Sequence, residues 1–175
     1  MIALVLGGTR SGKSAVAEAW IERLADGACV TYVATAIVDP FDNDHAARVA
    51  AHQLRRPAHW DTVDPHSDRS LPQVLLEVDG AVLLDSLGTW VAAHHDGRDD
   101  FAVDEAPLLD ALAARRGDTI IVSEEVGMSV HPPTVLGRRY ADALGTLNHG
   151  VAAMADRVVL VVAGQVLPLS SEPPQ

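Results

Sequence analysis

The chain has 175 residues, 48% of them hydrophobic, and carries a formal net charge of −11 at pH 7. This length is that of a single domain, and the hydrophobic fraction is sufficient for a substantial core. The negative charge argues against nucleic acid and against an anionic membrane surface as partners.

Cysteine content and hydropathy bear on the compartment of the protein. The single cysteine, Cys29, excludes a disulfide within the chain, and its apolar neighbours predict a buried position in the core. No apolar run approaches the roughly 18 residues of a membrane-spanning helix, and the first residues are typical of a β-strand rather than of a signal peptide. We therefore expect a soluble, cytoplasmic protein without membrane insertion.

Predicted strands and helices alternate along the chain. Apolar, β-branched runs predict core strands at residues 2–6, 29–34, 81–85, 119–123 and 157–163, with a short edge strand at 60–63. Helices are predicted at residues 15–24, 44–54, 71–78, 87–94, 104–116 and 135–154. This alternation predicts an α/β fold whose mostly parallel sheet has helices on both faces. We expect one domain over residues 1–169, with a turn at Gly164, and a disordered tail over 170–175.

The segment between the first predicted strand and helix fits G-x-x-x-x-G-K-[ST], the pattern of a phosphate-binding P-loop. It consists of Gly7, Gly8, Thr9, Arg10, Ser11, Gly12, Lys13 and Ser14. In such a loop, backbone N–H groups and the helix N-terminus attract phosphate. Lys13, the only lysine in the chain, would reach the β- and γ-phosphates, and the Ser14 hydroxyl would bind Mg²⁺. The segment predicts binding of a nucleoside triphosphate.

Polar residues follow several predicted strands, at the edge where parallel α/β sheets bind ligands. We expect the P-loop, Thr35, Asp85 and the pair Glu124 and Glu125 to share this edge. Asp85 ends an apolar strand, as the metal-binding aspartate of P-loop enzymes does, and would hold Mg²⁺ directly or through water. Glu125 is a candidate base or water-orienting group, and Glu124 competes with it; a solvated pair of loop carboxylates is the alternative.

One histidine has a neighbourhood that suits phosphate chemistry. Four histidines recur every seven residues: His45, His52, His59 and His66. Residues at this spacing on a helix lie roughly 10 Å apart along its axis, too far to share one zinc ion. His52, however, precedes Arg55 and Arg56 by one helical turn, so a phosphate could bind beside its imidazole. His52 is therefore a candidate nucleophile, with a surface or core role as the alternative.

Further motifs follow the P-loop in a defined order. They are Y-V-A-T at 32–35, A-A-R-x-x-x-H-x-x-x-R-P-x-x-W-x-T-x-D at 46–64, L-L-D-S-L-G-T-W at 83–90, E-V-G-M at 125–128 and D-x-x-G-x-x-N at 142–148. Over residues 2–164 the chain resembles the bifunctional adenosylcobinamide kinase / adenosylcobinamide-phosphate guanylyltransferase family of cobalamin biosynthesis. The P-loop is shared with many nucleotide enzymes, whereas the histidine-containing motif is much more specific.

The resemblance implies two reactions on one RecA-like P-loop NTPase fold. A nucleoside triphosphate phosphorylates a hydroxyl of adenosylcobinamide, and GTP then transfers GMP to that phosphate through a guanylylated histidine, which would be His52. The implied ligands are ATP and GTP as substrates, Mg²⁺, and adenosylcobinamide with its phosphate. The resemblance also implies a homotrimer whose active sites lie between subunits.

The resemblance assigns roles to residues by position. The implied catalytic residues are His52, Lys13 and Asp85, and the implied metal ligands are Ser14 and Asp85. Nucleotide contacts are implied for the P-loop and for Ala34, Thr35, Ala36, Gln53, Leu54, Arg55, Arg56, Asp64 and Asp85. Two alternatives remain: a P-loop small-molecule kinase in which His52 only binds phosphate, and a GTP-binding regulatory switch.

The chain departs from the family pattern at a few positions. The family commonly has Asn-Glu-Val-Gly where this chain has a carboxylate first, at Glu124, so an extra negative charge enters the expected ligand-binding edge. Ser86 replaces a family cysteine after Asp85. Neither change touches the P-loop or His52.

Overall fold

The structure is a computed structural model that describes residues 1–37, 47, 49–50, 53–54, 56–65, 69–95, 101, 103–128 and 130–169. Most of the helix predicted at 44–54 and the whole tail predicted at 170–175 lie outside these ranges. Within them, no helix combines the length and the apolar character that a membrane span requires.

A seven-stranded sheet forms the centre of the fold. Its strands are β1 (Ile2–Gly7), β2 (Val30–Ala34), β3 (Asp61–Val63), β4 (Ala81–Asp85), β5 (Thr119–Glu124), β6 (Arg157–Val162) and β7 (Gln165–Leu169). Their spatial order is β3-β2-β4-β5-β1-β6-β7, and all neighbours pair in parallel except β6 and β7. The strand that leads into the P-loop, β1, is thus central, and β5 separates it from the strand that ends in Asp85.

Residues 47, 49–50 and 53–54 are helical. Five further helices connect the strands in the part of the chain that the structure describes. They are α1 (Lys13–Ala25), α2 (Leu71–Glu77), α3 (Leu87–Ala93), α4 (Ala106–Ala114) and α5 (Val135–Met154). Serines begin α2 and α3 with capping boxes, in which Ser70 pairs with Gln73 and Ser86 pairs with Thr89. Such boxes satisfy N–H groups at the first turn of a helix, so they define where these short helices start.

Each face of the sheet packs against helices, as the continuous apolar runs predict. On one face, Ala17 and Ile21 of α1 pack against strand residues such as Val5. On the other face, α2, α3, α4 and α5 bury a larger cluster around Leu4 and Leu84. Successive strand residues point to opposite faces, so both faces can be apolar only if almost every strand residue is apolar.

Two features differ from the sequence-based expectations. After the predicted turn, where Ala163 and Gly164 both have positive φ, the chain forms the additional strand β7. All five residues of β7 are exposed and one is Pro168, so neither burial alternation nor propensity indicates a strand there. The expectation for Cys29 is wrong: it is exposed, and its thiol lies 3.2 Å from the His59 carbonyl oxygen.

Candidate nucleotide-binding site

The P-loop runs from the end of β1 to the start of α1. The turn between β6 and β7 forms a hydrogen bond with it. The backbone carbonyl of Ser11 accepts a hydrogen bond from the N–H of Gly164 at 2.8 Å. The Ser11 hydroxyl oxygen accepts from the backbone N–H of Lys13 at 3.3 Å. Gly12 has a φ of 94°, a conformation that L side chains rarely adopt, so this second glycine of the motif is required by the backbone.

A cavity of about 630 Å³ opens beside the P-loop, at the carboxyl ends of β2, β4 and β5. Most of the predicted nucleotide contacts line it: Thr9, Arg10, Ser11, Gly12, Lys13, Ser14, Ala34, Ala36, Gln53, Arg56, Asp64 and Asp85. The volume is within the range of small-molecule binding sites in proteins. The structure therefore brings to one place residues that lie as far apart in the chain as the P-loop and Asp85.

Other predicted site residues have different locations. Gly7 and Gly8 belong to the P-loop without lining the cavity, and Leu54 is 88% exposed. Thr35 is completely buried next to the cavity, where its hydroxyl donates to the Ser86 carbonyl oxygen at 2.6 Å. His52 and Arg55 lie outside the described residues, as do His45 and His66.

Asp85, the predicted metal ligand, is held by a tyrosine that the sequence analysis did not select. The Tyr32 hydroxyl donates a hydrogen bond of 2.5 Å to the Asp85 Oδ2. Burial, together with the negative charge of Asp85, raises the pKa of Tyr32 well above its usual range. Tyr32 thus stays a neutral donor at physiological pH and fixes the orientation of the carboxylate.

Arg56 is stacked at the same place. Its guanidinium carbon lies 3.5 Å from the centroid of the Tyr32 ring, a cation–π contact, and its Nη1 lies 3.4 Å from the Thr62 hydroxyl. The Nε of Arg56 is buried and has no hydrogen-bond partner among the described residues. Because Arg56 lines the cavity, its side chain brings a fixed positive charge there, as a bound phosphate requires.

The two candidate carboxylates at the end of β5 line different cavities. Glu124 lines the P-loop cavity, with its Oε1 3.5 Å from the Lys13 Nζ. Glu125 instead lines a second cavity of about 360 Å³ beside α5 and β6, and its Oε1 accepts from the backbone N–H of Gly127 at 2.7 Å. Of the two, only Glu124 is therefore placed to act near a nucleotide on the P-loop.

Several cavity residues were missed by sequence reasoning: Tyr32, Thr62, Ser86, Gly88, Thr89, Ala92 and Tyr140. Tyr32 and Ser86 lie inside recognised motifs, which could have identified them. Tyr140 had no such signal, because its side chain comes from the second turn of the long helix α5 and reaches the site only through tertiary packing.

The sheet order, the P-loop after β1 and the aspartate that ends β4 define a P-loop NTPase fold of the RecA-like type, as predicted. A family model described as "Cobinamide kinase / cobinamide phosphate guanyltransferase" matches residues 3–169. The chain therefore belongs to this family of enzymes, which confirms the resemblance carried by its motifs.

Individual relatives agree with the family match. The bifunctional adenosylcobalamin biosynthesis protein CobP of Pseudomonas aeruginosa is 38% identical over 175 residues, or 97% of this chain and 98% of the relative. The corresponding CobU of Salmonella typhimurium is 38% identical, over 94% of this chain and 97% of the relative. Among solved structures, a KaiC-like protein from Pyrococcus horikoshii OT3 is 17% identical with a TM-score of 0.48, over 91% of this chain and 69% of that chain.

Proposed function

We propose that this protein phosphorylates adenosylcobinamide with a nucleoside triphosphate and then transfers GMP from GTP to the product. The products of the second reaction would be adenosylcobinamide-GDP and pyrophosphate. One observation carries the proposal: Lys13, Asp85 and Arg56, from three separate segments, line one cavity in a chain that matches the family over residues 3–169.

The first reaction would use the cavity as a P-loop kinase does. The loop's backbone and Lys13 hold the β- and γ-phosphates of ATP or GTP and stabilise the charge that spreads over the transferred group. Ser14 and Asp85 line the same cavity and would hold Mg²⁺, which takes one or two protein oxygens and completes its shell with phosphates and water. When bound, the ion would neutralise charge on the β- and γ-phosphates.

The second reaction would use His52 as a covalent carrier. Its neutral imidazole attacks the α-phosphorus of GTP; a nitrogen–phosphorus bond forms and pyrophosphate leaves with the electrons of the broken phosphorus–oxygen bond. An oxygen of the phosphorylated acceptor then attacks that phosphorus, and the nitrogen–phosphorus bond breaks. Support comes from Gln53, which follows His52 in the sequence and lines the cavity, and from the charge of Arg56.

Labelling separates this mechanism from a kinase without the second activity. Incubation with α-labelled GTP should leave label on the wild-type protein that survives denaturation and is lost in acid. His52→Ala should take up no label. His59→Ala is the matched control, because His59 is an exposed histidine 3.3 Å from Glu22 and does not line the cavity. If the wild type takes up no label, or if His52→Ala is labelled as strongly as the wild type, GMP transfer through His52 is contradicted and only the kinase activity remains proposed.

A regulatory switch would behave differently in a turnover assay. It would bind GTP but would not consume nucleotide when adenosylcobinamide is supplied, whereas the proposed enzyme would. The proposal includes a cytoplasmic homotrimer with active sites between subunits. Light scattering at several concentrations measures the mass, and a monomer that is fully active would contradict this part.

A further inference from the structure

Glu124 occupies a special position relative to the P-loop. It ends β5, the strand between the P-loop strand β1 and the strand that ends in Asp85, and it pairs in register with Gly7. Its Oε1 lies 3.5 Å from the Nζ of Lys13. Because Lys13 would bind the γ-phosphate, this carboxylate lies within reach of a group that approaches the γ-phosphorus.

The carboxylate of Glu124 is held by its surroundings. The Ser86 hydroxyl donates to Oε2 at 3.0 Å. Position 88 is glycine, and a Cβ there would collide with Oε2 and come within 2.8 Å of the carboxyl carbon. The Glu124 carboxylate therefore occupies the space that a side chain at position 88 would fill.

The backbone of Glu124 is fixed by a buried polar pair. The Nδ2 of Asn148 donates to the Glu124 carbonyl oxygen at 3.1 Å, and the Oδ1 of Asn148 accepts from the Ser123 hydroxyl at 2.6 Å. Asn148 is buried, so these bonds fix the end of β5 relative to α5.

The other groups that could accept a proton are less well placed. The Asp85 carboxylate accepts the 2.5 Å bond from Tyr32, and Asp64 follows β3, at the far edge of the sheet from the P-loop. Burial and the charge of Glu124 raise the pKa of Tyr140, which therefore remains a neutral phenol and donates to the Gly88 carbonyl oxygen at 3.2 Å.

We propose that Glu124 is the general base of the phosphorylation step, an inference that rests on the proposed function. With a nucleotide bound, Lys13 turns to the phosphates and Oε1 receives the acceptor hydroxyl. The acceptor O–H bond breaks and its proton moves to Glu124, while the oxygen forms a bond to the γ-phosphorus. The bond from that phosphorus to the β,γ-bridging oxygen breaks, and its electrons leave on the nucleoside diphosphate.

The two half-reactions distinguish a base from a structural residue. GMP transfer to adenosylcobinamide phosphate needs no hydroxyl deprotonation, because the acceptor is already an anion. Glu124→Gln should therefore slow phosphorylation of adenosylcobinamide by roughly 10²–10⁴-fold, the usual contribution of a positioned base, and slow GMP transfer far less. Glu124→Ala, which leaves space, should regain phosphorylation as formate is added, and Glu124→Gln should not.

Glu125→Gln is the matched comparison, because it removes the neighbouring charge outside the P-loop cavity. Wild-type rates of phosphorylation in Glu124→Gln would overturn the inference and leave the proposed function intact. Equal losses in both half-reactions, or a larger loss in Glu125→Gln, would overturn it too. A wild type that does not phosphorylate adenosylcobinamide would instead contradict the proposed function itself.

Discussion

The Tyr32→Phe substitution tests how the site holds Asp85. It removes the hydroxyl that donates to Asp85 at 2.5 Å and keeps the ring on which Arg56 stacks. A hydrogen bond to a charged group contributes about 1.5–3 kcal/mol. Because Asp85 lines an open cavity, water can replace part of the lost bond, so we expect the lower value, about 1.5 kcal/mol. For a domain of this size that corresponds to a fall in Tm of about 3–6 °C.

Tyr140→Phe is the matched control for this measurement. Tyr140 is a half-buried tyrosine at the same cavity, but its hydroxyl donates at 3.2 Å to a neutral acceptor, the Gly88 carbonyl. Its loss should cost less than that of the Tyr32 hydroxyl, about 1 kcal/mol or below. Urea unfolding of the wild type and both variants, without nucleotide, gives the comparison. If Tyr32→Phe costs no more than Tyr140→Phe, the charge-assisted bond does not stabilise the folded protein as argued.

Three further predictions concern the same region. The pKa of Tyr32 is raised in the folded state from an ordinary 10.0, so the unfolded chain releases this proton at a lower pH than the folded chain does. The free energy of unfolding should therefore fall above pH 10. The difference in that free energy between wild type and Tyr32→Phe, measured by urea titration at alkaline pH, should shrink by about 1.4 kcal/mol per pH unit. An advantage that stays constant with pH would refute this. Ser86→Ala should cost more than Ser70→Ala in unfolding experiments, since both lose an N-cap bond of about 0.5–2 kcal/mol but only Ser86 also donates to a carboxylate. Equal costs would argue against that second bond. Gly88→Ala should destabilise by about 1–3 kcal/mol through overpacking, whereas Gly145→Ala, with open space around it in α5, should be neutral or stabilising. If Gly88→Ala leaves the free energy of unfolding unchanged, the Glu124 carboxylate can move away from position 88.

Local patterns were sufficient for most of the fold. The predicted strands and helices in the described residues agree with the structure within a few positions, and the predicted bounds of α5, 135–154, are those observed. Strands buried on both faces consist of continuous apolar runs, which are easy to distinguish from amphipathic helices. β7 was not predicted, because an exposed edge strand has no apolar pattern and because this strand forms through its pairing with β6.

Sequence order alone could not separate Glu124 from Glu125. Adjacent residues at the end of a strand point in opposite directions, and a shift of one residue in register would exchange their positions. Tertiary packing determines which of the two faces the P-loop cavity. β5 pairs with β1 so that Gly7 lies opposite Glu124, and Asn148 fixes that end of the strand.

The sequence by itself determined the class of the protein and its phosphate chemistry. A P-loop depends on local backbone geometry and on a few residues at fixed spacing, from Gly7 to Ser14, so it can be identified without the rest of the chain. Only the tertiary structure decided which distant side chains meet that loop. Tyr32 reaches Asp85, Glu124 reaches Lys13 and Tyr140 reaches Gly88, because strand order and helix packing bring together residues far apart in the chain.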